Sequence, residues 1–215
     1  MSFIWSAFLI LLFSYFVGSI PFGLLIGKFN GLDIRHHGSC NIGATNIRRV
    51  LGRDWGIVCF LCDFLKGVLP VVIIGNHFGA SCAVGPEWGE LLAVVGTVAG
   101  HIFPCTLHFK GGKGVATSLG AILGIAFWPV LIGAILWYLC FLKTRIVSLA
   151  SMVAAIAMPI TALIMYFAKW GNIHIPAILL MLAIALLIIF RHKDNITRLK
   201  NGTENKFVKV KTEKK

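Results

Sequence analysis

Charge is scarce in this chain. Only 8 of its 215 residues are Asp or Glu, and charged residues of both signs make up 13%. Soluble domains carry about a quarter, so a water-soluble globular protein is excluded. The remainder is 58% hydrophobic with a mean hydropathy of +0.87, and several apolar runs reach the roughly 20 residues that span a bilayer core. Basic residues are also absent from particular places. None precedes Lys28, and none lies between Asn76 and Glu90. The first apolar run, Phe3 to Gly27, therefore lacks the basic n-region of a signal peptide and exceeds its apolar core in length, which predicts a retained span.

Common catalytic signatures are missing as well. There is no G-x-S-x-G elbow, no H-E-x-x-H and no dinucleotide fingerprint. Six cysteines stand at 40, 59, 62, 82, 105 and 140. Cys59 and Cys62 form one CxxC inside an apolar run with no second pair at zinc-ribbon spacing, so they read as small hydrophobes. No metal, cofactor or structural disulfide is expected.

What charge there is has a pattern. The formal net charge is +12, and nine of the twenty Lys and Arg follow Phe190. Without an aromatic-interleaved basic motif, nucleic-acid binding is not expected; the positive-inside rule accounts for most of these residues. It yields a topology. Span one is about 3–27, then a basic loop 28–54, span two about 55–75, an outer loop 76–90 with Glu87 and Glu90, and span three about 91–107. The stretch 115–142 lies between Lys110/Lys113 and Lys143/Arg145, which belong on one side. One helix of that length, about 42 Å, would separate them. Two short passes turning near Trp128-Pro129, or a re-entrant hairpin, keep them together. Spans at 146–168 and 174–190 follow. The expected fold is an all-α integral membrane protein, a seven-span helical bundle with its amino terminus outside and its carboxyl terminus cytoplasmic. Residues 1–205 form one transmembrane domain and 206–215 a basic tail. Small residues at four-residue spacing (Ser19, Gly23 and Gly27; Gly96 and Gly100; Gly120 and Gly124) predict close helix packing.

Four polar clusters then fall on the cytoplasmic side: Gly38–Arg49, Phe109–Ser118, Lys143–Ser151 and Arg191–Glu204. A protein that merely spans a membrane has little need of them, so their co-location points to a site. Gly111-Gly112-Lys113-Gly114 precedes an apolar helix with Thr117 and Ser118 in its first turn, which is suited to an anion. It is not a Walker A loop, because Leu107 and Gly114 stand where Gly and Ser or Thr are needed; a flexible basic loop is the plainer alternative. Asp63 and Lys66, three apart inside span two, read as a structural pair or a catalytic one. His192 and Asn195 lie one turn apart and can point at one ligand or merely cap the last span. Ser148 and Ser151 can serve a ligand or bond within the bundle.

Six motifs taken together resemble the bacterial acyl-phosphate:glycerol-3-phosphate acyltransferases, the PlsY family. They are Gly18-Ser-Ile-Pro-Phe-Gly23, Gly38-Ser-Cys-Asn-Ile-Gly-Ala-Thr-Asn46, Asp63-Phe-Leu-Lys-Gly67, Gly100-His-Ile-Phe-Pro104, Gly111-Gly-Lys-Gly-Val-Ala-Thr117 and Arg191-His-Lys-Asp-Asn-Ile-Thr-Arg-Leu199. They run in order across about 15–204. The His-x4-Asp motif of soluble-type glycerolipid acyltransferases is absent. The resemblance implies a seven-helix enzyme of the bacterial cytoplasmic membrane, its active site facing the cytoplasm, that makes lysophosphatidate from a fatty acyl phosphate and glycerol 3-phosphate. Neither acyl-CoA nor acyl carrier protein is the donor. The resemblance also implies the soluble enzyme that makes acyl phosphate as a partner. By motif position, Ser39, Arg49, Lys113, His192 and Asn195 are the implied glycerol 3-phosphate ligands, with Ser39 and Lys113 catalytic. Asn41, Thr45, Asn46, Gly112, Ser148 and Ser151 are candidates for the acyl-phosphate end. One departure is Cys40, where the family pattern usually has Gly; a side chain there would narrow a pocket lined by that residue's amide. The rival reading is a transporter of a small phosphorylated solute.

Overall fold

The computed structural model describes residues 2–207, so most of the expected basic tail, 208–215, lies outside the described residues. Among them every regular element is helical. Ten α-helices follow one another: α1 Phe3–Gly18, α2 Phe22–Phe29, α3 Ala44–Leu51, α4 Arg53–Leu69, α5 Pro86–Ile102, α6 Val115–Leu123, α7 Phe127–Thr144, α8 Val147–Phe167, α9 Ile175–Arg191 and α10 Lys193–Lys200. A π-helical segment, Pro70–Phe78, continues α4. Five helical stretches are long and apolar enough to cross a membrane, and a sixth qualifies if α9 and α10, bent by 58°, count as one. Together with the comparisons below, this makes the chain an integral membrane protein of several spans.

The chain divides into two compact units, Met1–Phe127 and Trp128–Lys215. In the first, glycines let helix backbones meet. A Cβ on Gly18 would fall on the Thr97 carbonyl, one on Gly100 on the Tyr15 carbonyl, and one on Gly120 on the Phe64 carbonyl. These contacts seat α1 on α5 and α4 on α6. The small residues expected to pack do so because lipid gives helices no hydrophobic reason to associate, which leaves close van der Waals approach as the driving term. In the second unit α8 lies along α9, burying Ala154, Ala155, Met158, Ala162, Ile184, Ala185 and Ile188. Exposed Ile, Leu and Phe on both units are what a lipid-facing surface requires.

Three boundaries differ from expectation. Span one breaks at Ser19-Ile20-Pro21 into α1 and α2, since Pro21 cannot donate to the helix ladder. The break in 115–142 falls at Gly124–Ala126 rather than at Trp128-Pro129, which instead opens α7. Proline is tolerated in a first turn, where the N–H it lacks has no intrahelical partner. The loop expected over 28–54 contains α3. There Ile47 is fully buried among Leu24, Ile26, Ile34, Ile42 and Cys59, and Gly56 of α4 admits the Arg48 side chain at close range. An amphipathic helix of eight residues, too polar to register as a span, forms because its one apolar face has a place to go.

Candidate active site

The loop from Gly38 to Arg49 is organised by one buried amide. Asn46 is 2% exposed, and its Nδ2 donates to the carbonyls of His37 at 3.0 Å and Asn41 at 2.8 Å. Its Oδ1 accepts from the Ser39 amide at 2.8 Å and from Arg49 Nη1 at 3.2 Å. A single oxygen thus sets both the Ser39 backbone and the Arg49 guanidinium. Asn41 closes a tighter turn, its Oδ1 accepting from the Gly43 amide at 2.8 Å. Ser39 and Arg49 themselves are exposed. Thr45 is half-buried in the first turn of α3.

Cys40 has φ +57° and its side chain is exposed. It occupies the left-handed region, where a Cβ crowds the backbone and glycine does not. Glycine would adopt this turn without that crowding. Nearby, Asp33 accepts from Arg35 Nε at 2.9 Å and from the Arg35 amide at 3.0 Å. That side-chain bond, then the backbone one, holds the Asp33 carboxyl well below the usual carboxylate range. Arg35 is therefore a loop charge engaged by its own carboxylate.

The glycine loop folds back on the end of α5. Gly111 N–H donates to the Ile102 carbonyl at 3.1 Å and Gly112 N–H to the His101 carbonyl at 3.2 Å. Gly114, at φ +83°, turns the chain into α6. Lys113 is half-buried between these glycines. Thr117 and Ser118 are both fully buried in the first turn, and the Ser118 hydroxyl has no hydrogen-bond partner. Beneath the loop, Lys66 Nζ lies 2.8 Å from Asp63 Oδ1, both side chains almost wholly buried. Lys66 also donates to the Ile20 carbonyl at 2.7 Å and sits 5.5 Å from the centre of the Phe22 ring. The pair sequence reasoning found on one helix face is thus an ion pair that also ties down the break between α1 and α2.

In the second unit the two polar clusters meet on one carboxylate. Glu204 accepts from the Ser148 hydroxyl at 2.8 Å, from Asn195 Nδ2 at 2.6 Å and from Arg198 Nε at 2.7 Å. Burial raises its pKa, but the three hydrogen bonds and the Arg198 charge outweigh that and hold it below the ordinary value. His192 is buried, and its Nδ1 lies 2.8 Å from the Ile188 carbonyl. A carbonyl only accepts, so Nδ1 carries the proton. The Ser151 hydroxyl accepts from Trp137 Nε1 at 3.2 Å. Sequence reasoning did not find Glu204 as the meeting point of Ser148 and Asn195, 56 and 9 residues away, because no spacing rule links them. The residues around His101, in Gly100-His-Ile-Phe-Pro104, give no spacing signal for a role of its own.

All six cysteines are free thiols, with Cys59 buried. One hydroxyl meets an imidazole, Thr117 Oγ1 at 3.1 Å from His101 Nδ1, and both groups are buried between α5 and α6. What the two units offer is donors: a guanidinium, an ammonium, hydroxyls, amides and glycine N–H groups, suited to anions.

Comparison with known proteins agrees. The family model described as glycerol-3-phosphate acyltransferase matches residues 8–202. A glycerol-3-phosphate acyltransferase of Aquifex aeolicus is 38% identical over 202 residues, covering 94% of this chain and 100% of that protein. One from Geotalea daltonii is 42% identical over 202 residues, covering 94% and 98%. Among solved structures, PlsY, an integral membrane glycerol 3-phosphate acyltransferase, in its glycerol 3-phosphate form superposes with a TM-score of 0.83 at 38% identity, covering 94% of this chain and 96% of that chain. Its lysophosphatidic acid form gives 0.81. With a family match across almost its whole length and relatives near 40% identity, this chain belongs to the glycerol-3-phosphate acyltransferase family of integral membrane enzymes.

Proposed function

We propose that this protein transfers a fatty acyl group from acyl phosphate to the sn-1 hydroxyl of glycerol 3-phosphate, releasing lysophosphatidate and inorganic phosphate. The observation that carries the reading is the loop in which Asn46 Oδ1 holds the Ser39 amide and the Arg49 guanidinium together. An acyl phosphate is a mixed anhydride with a good leaving group. Direct attack therefore needs positioning and charge stabilisation rather than a covalent enzyme intermediate.

Ser39, Arg49, Lys113, His192 and Asn195 are the glycerol 3-phosphate ligands in this reading. Asn41, Thr45, Gly112, Ser148 and Ser151 serve the acyl-phosphate end. Asn46, whose amide is fully used within its own loop, acts by orienting Ser39 and Arg49. The sn-1 oxygen attacks the acyl carbonyl carbon, the C–O bond to phosphate breaks, and the departing phosphate takes the hydroxyl proton. Lys113 and loop amides stabilise the negative charge that develops on the carbonyl oxygen. The lipid-facing helices admit the acyl chain from the bilayer.

The topology we assign is seven crossings: α1 with α2, α4 with its π-helical extension, then α5, α6, α7, α8 and α9. The amino terminus is outside, and residues 1–205 form one acyltransferase domain in the bacterial cytoplasmic membrane. α6 is the short pass, about 14 Å at roughly 1.5 Å per residue. The active site faces the cytoplasm, where a soluble enzyme supplies acyl phosphate. The test is purified protein in detergent, given acyl phosphate and glycerol 3-phosphate. Equal amounts of lysophosphatidate and inorganic phosphate are expected. Product from acyl-CoA but none from acyl phosphate would overturn the donor assignment.

A further inference from the structure

His101 lies in the last turn of α5, 5% exposed, and touches every part of the glycine loop's foundation. Its Nδ1 is 3.1 Å from Thr117 Oγ1 in the first turn of α6 and 3.7 Å from Asp63 Oδ1. Its Nε2 lies where a Cβ on Gly112 would sit. Its main-chain carbonyl accepts from the Gly112 amide at 3.2 Å. The residue immediately before Lys113 thus rests on both the ring and the carbonyl of one histidine.

Two partners keep that ring in place. Asp63, paired with Lys66 at 2.8 Å, presents a carboxylate on one side of Nδ1. Thr117 presents a hydroxyl that fixes the ring to α6. An ion pair in the bilayer is costly unless its members are mutually satisfied. Lys66 is satisfied three ways, by Asp63, the Ile20 carbonyl and the Phe22 face. Asp63 Oδ1, despite its closeness to Lys66, makes no well-aligned hydrogen bond, and His101 Nδ1 faces it at 3.7 Å.

We propose that His101 is a positioning residue: its ring, braced by Thr117 and the Asp63–Lys66 pair, is the floor that sets Gly112 and hence the place of Lys113. The inference rests on Lys113 belonging to the proposed active site. A ring is needed because two faces must be served at once. Nδ1 reaches the helix partners and Nε2 fills the space left by the missing Gly112 side chain. Asparagine reproduces the first of these and leaves the second empty.

The test is a double-mutant cycle on turnover of acyl phosphate and glycerol 3-phosphate by purified protein in detergent. His101→Ala is expected to lower kcat about ten- to a hundredfold, the scale of an ångström-sized misplacement, and His101→Asn, which keeps the helix contact but leaves the floor empty, to recover only a small part of that loss. Gly112→Ala, whose new Cβ strikes the ring, is expected to lose activity alone and to regain part of it when combined with His101→Asn. Thr117→Val, nearly the same shape without the hydroxyl, lowers kcat without unfolding the protein and decides the matter if the histidine variants do not fold. Losses that simply add in the cycle, or wild-type kcat in folded His101→Ala or Thr117→Val, overturn the positioning role. A wild-type protein that makes no lysophosphatidate from acyl phosphate overturns the proposed reaction instead, so the two failures are distinguishable.

Discussion

Glu204 accepts a hydrogen bond from the Ser148 hydroxyl at 2.8 Å across 56 residues of chain. The same oxygen receives Asn195 Nδ2 at 2.6 Å, and the other oxygen receives Arg198 at 2.7 Å. A carboxylate 7% exposed is therefore the common acceptor for two residues assigned to substrates.

The pH dependence follows from that arrangement. The Glu204 pKa is lowered on folding. Its ionised form thus stabilises the fold above the unfolded carboxyl pKa, and the contribution disappears as pH falls through the lower, folded value. Glu204→Gln is expected to lose about 1–2 kcal/mol at neutral pH, the scale of a charge-assisted hydrogen bond. The gap to wild type should narrow in acid. Thermal melts in detergent across pH would check it; a gap that does not change with pH would refute the assignment.

Lys113→Ala is expected to reduce turnover by about 10²–10³, the cost of losing one charge-stabilising donor, while the protein stays folded. Lys113→Arg should recover only part, because a planar guanidinium does not replace a compact ammonium between two glycines. Wild-type turnover by the alanine variant would remove Lys113 from the mechanism.

Cys40 carries a left-handed backbone at φ +57°, so Cys40→Gly is expected to raise stability by about 0.5–1 kcal/mol. A rise in Tm with turnover retained is the result to look for; a fall would show that the turn is not strained. A variant with Cys40→Ser and alanine at the other five cysteines should also turn over, since the proposed direct transfer passes through no enzyme thioester. Loss of acyl transfer in that protein, if folded, would argue for a covalent intermediate.

Gly100→Ala places a Cβ on the Tyr15 carbonyl and 2.9 Å from the Ser19 amide. Backbone cannot yield as a side-chain tip can, so α1 and α5 must separate. The expected cost is about 1–3 kcal/mol, read as a lower melting temperature in detergent. An unchanged Tm would show that the helices have room to slide.

Much of this protein was legible from one sequence because its strongest signals are local and additive. Hydropathy places α8 at Val147–Phe167 and α9 at Ile175–Arg191, within a residue or two of expectation. The spacing of Gly96, Gly100 and Gly120 announces close packing that the backbones then make. Asp63 and Lys66 pair as helix geometry requires. Six ordered motifs carry the family resemblance, which relatives near 40% identity bear out.

The tertiary structure decided what depends on partners far apart in sequence. Ile47 and Asn46 look like residues of a polar loop until the apolar cluster around Leu24, Ile34 and Cys59 gives α3 a surface to cover. His101 is one histidine in an apolar span until α4, α6 and the glycine loop close around its ring. Glu204 is one of three acids in the basic stretch after Phe190 until Ser148 and Asn195 reach it. A buried polar group must find its partners or leave, and which partners it finds is a property of the packed helices, not of the residues on either side of it. The scarcity of charge in this chain therefore predicted the membrane. Only the fold showed that three buried charged or titratable residues, Asp63, Lys66 and His101, lie together under the loop that carries Lys113.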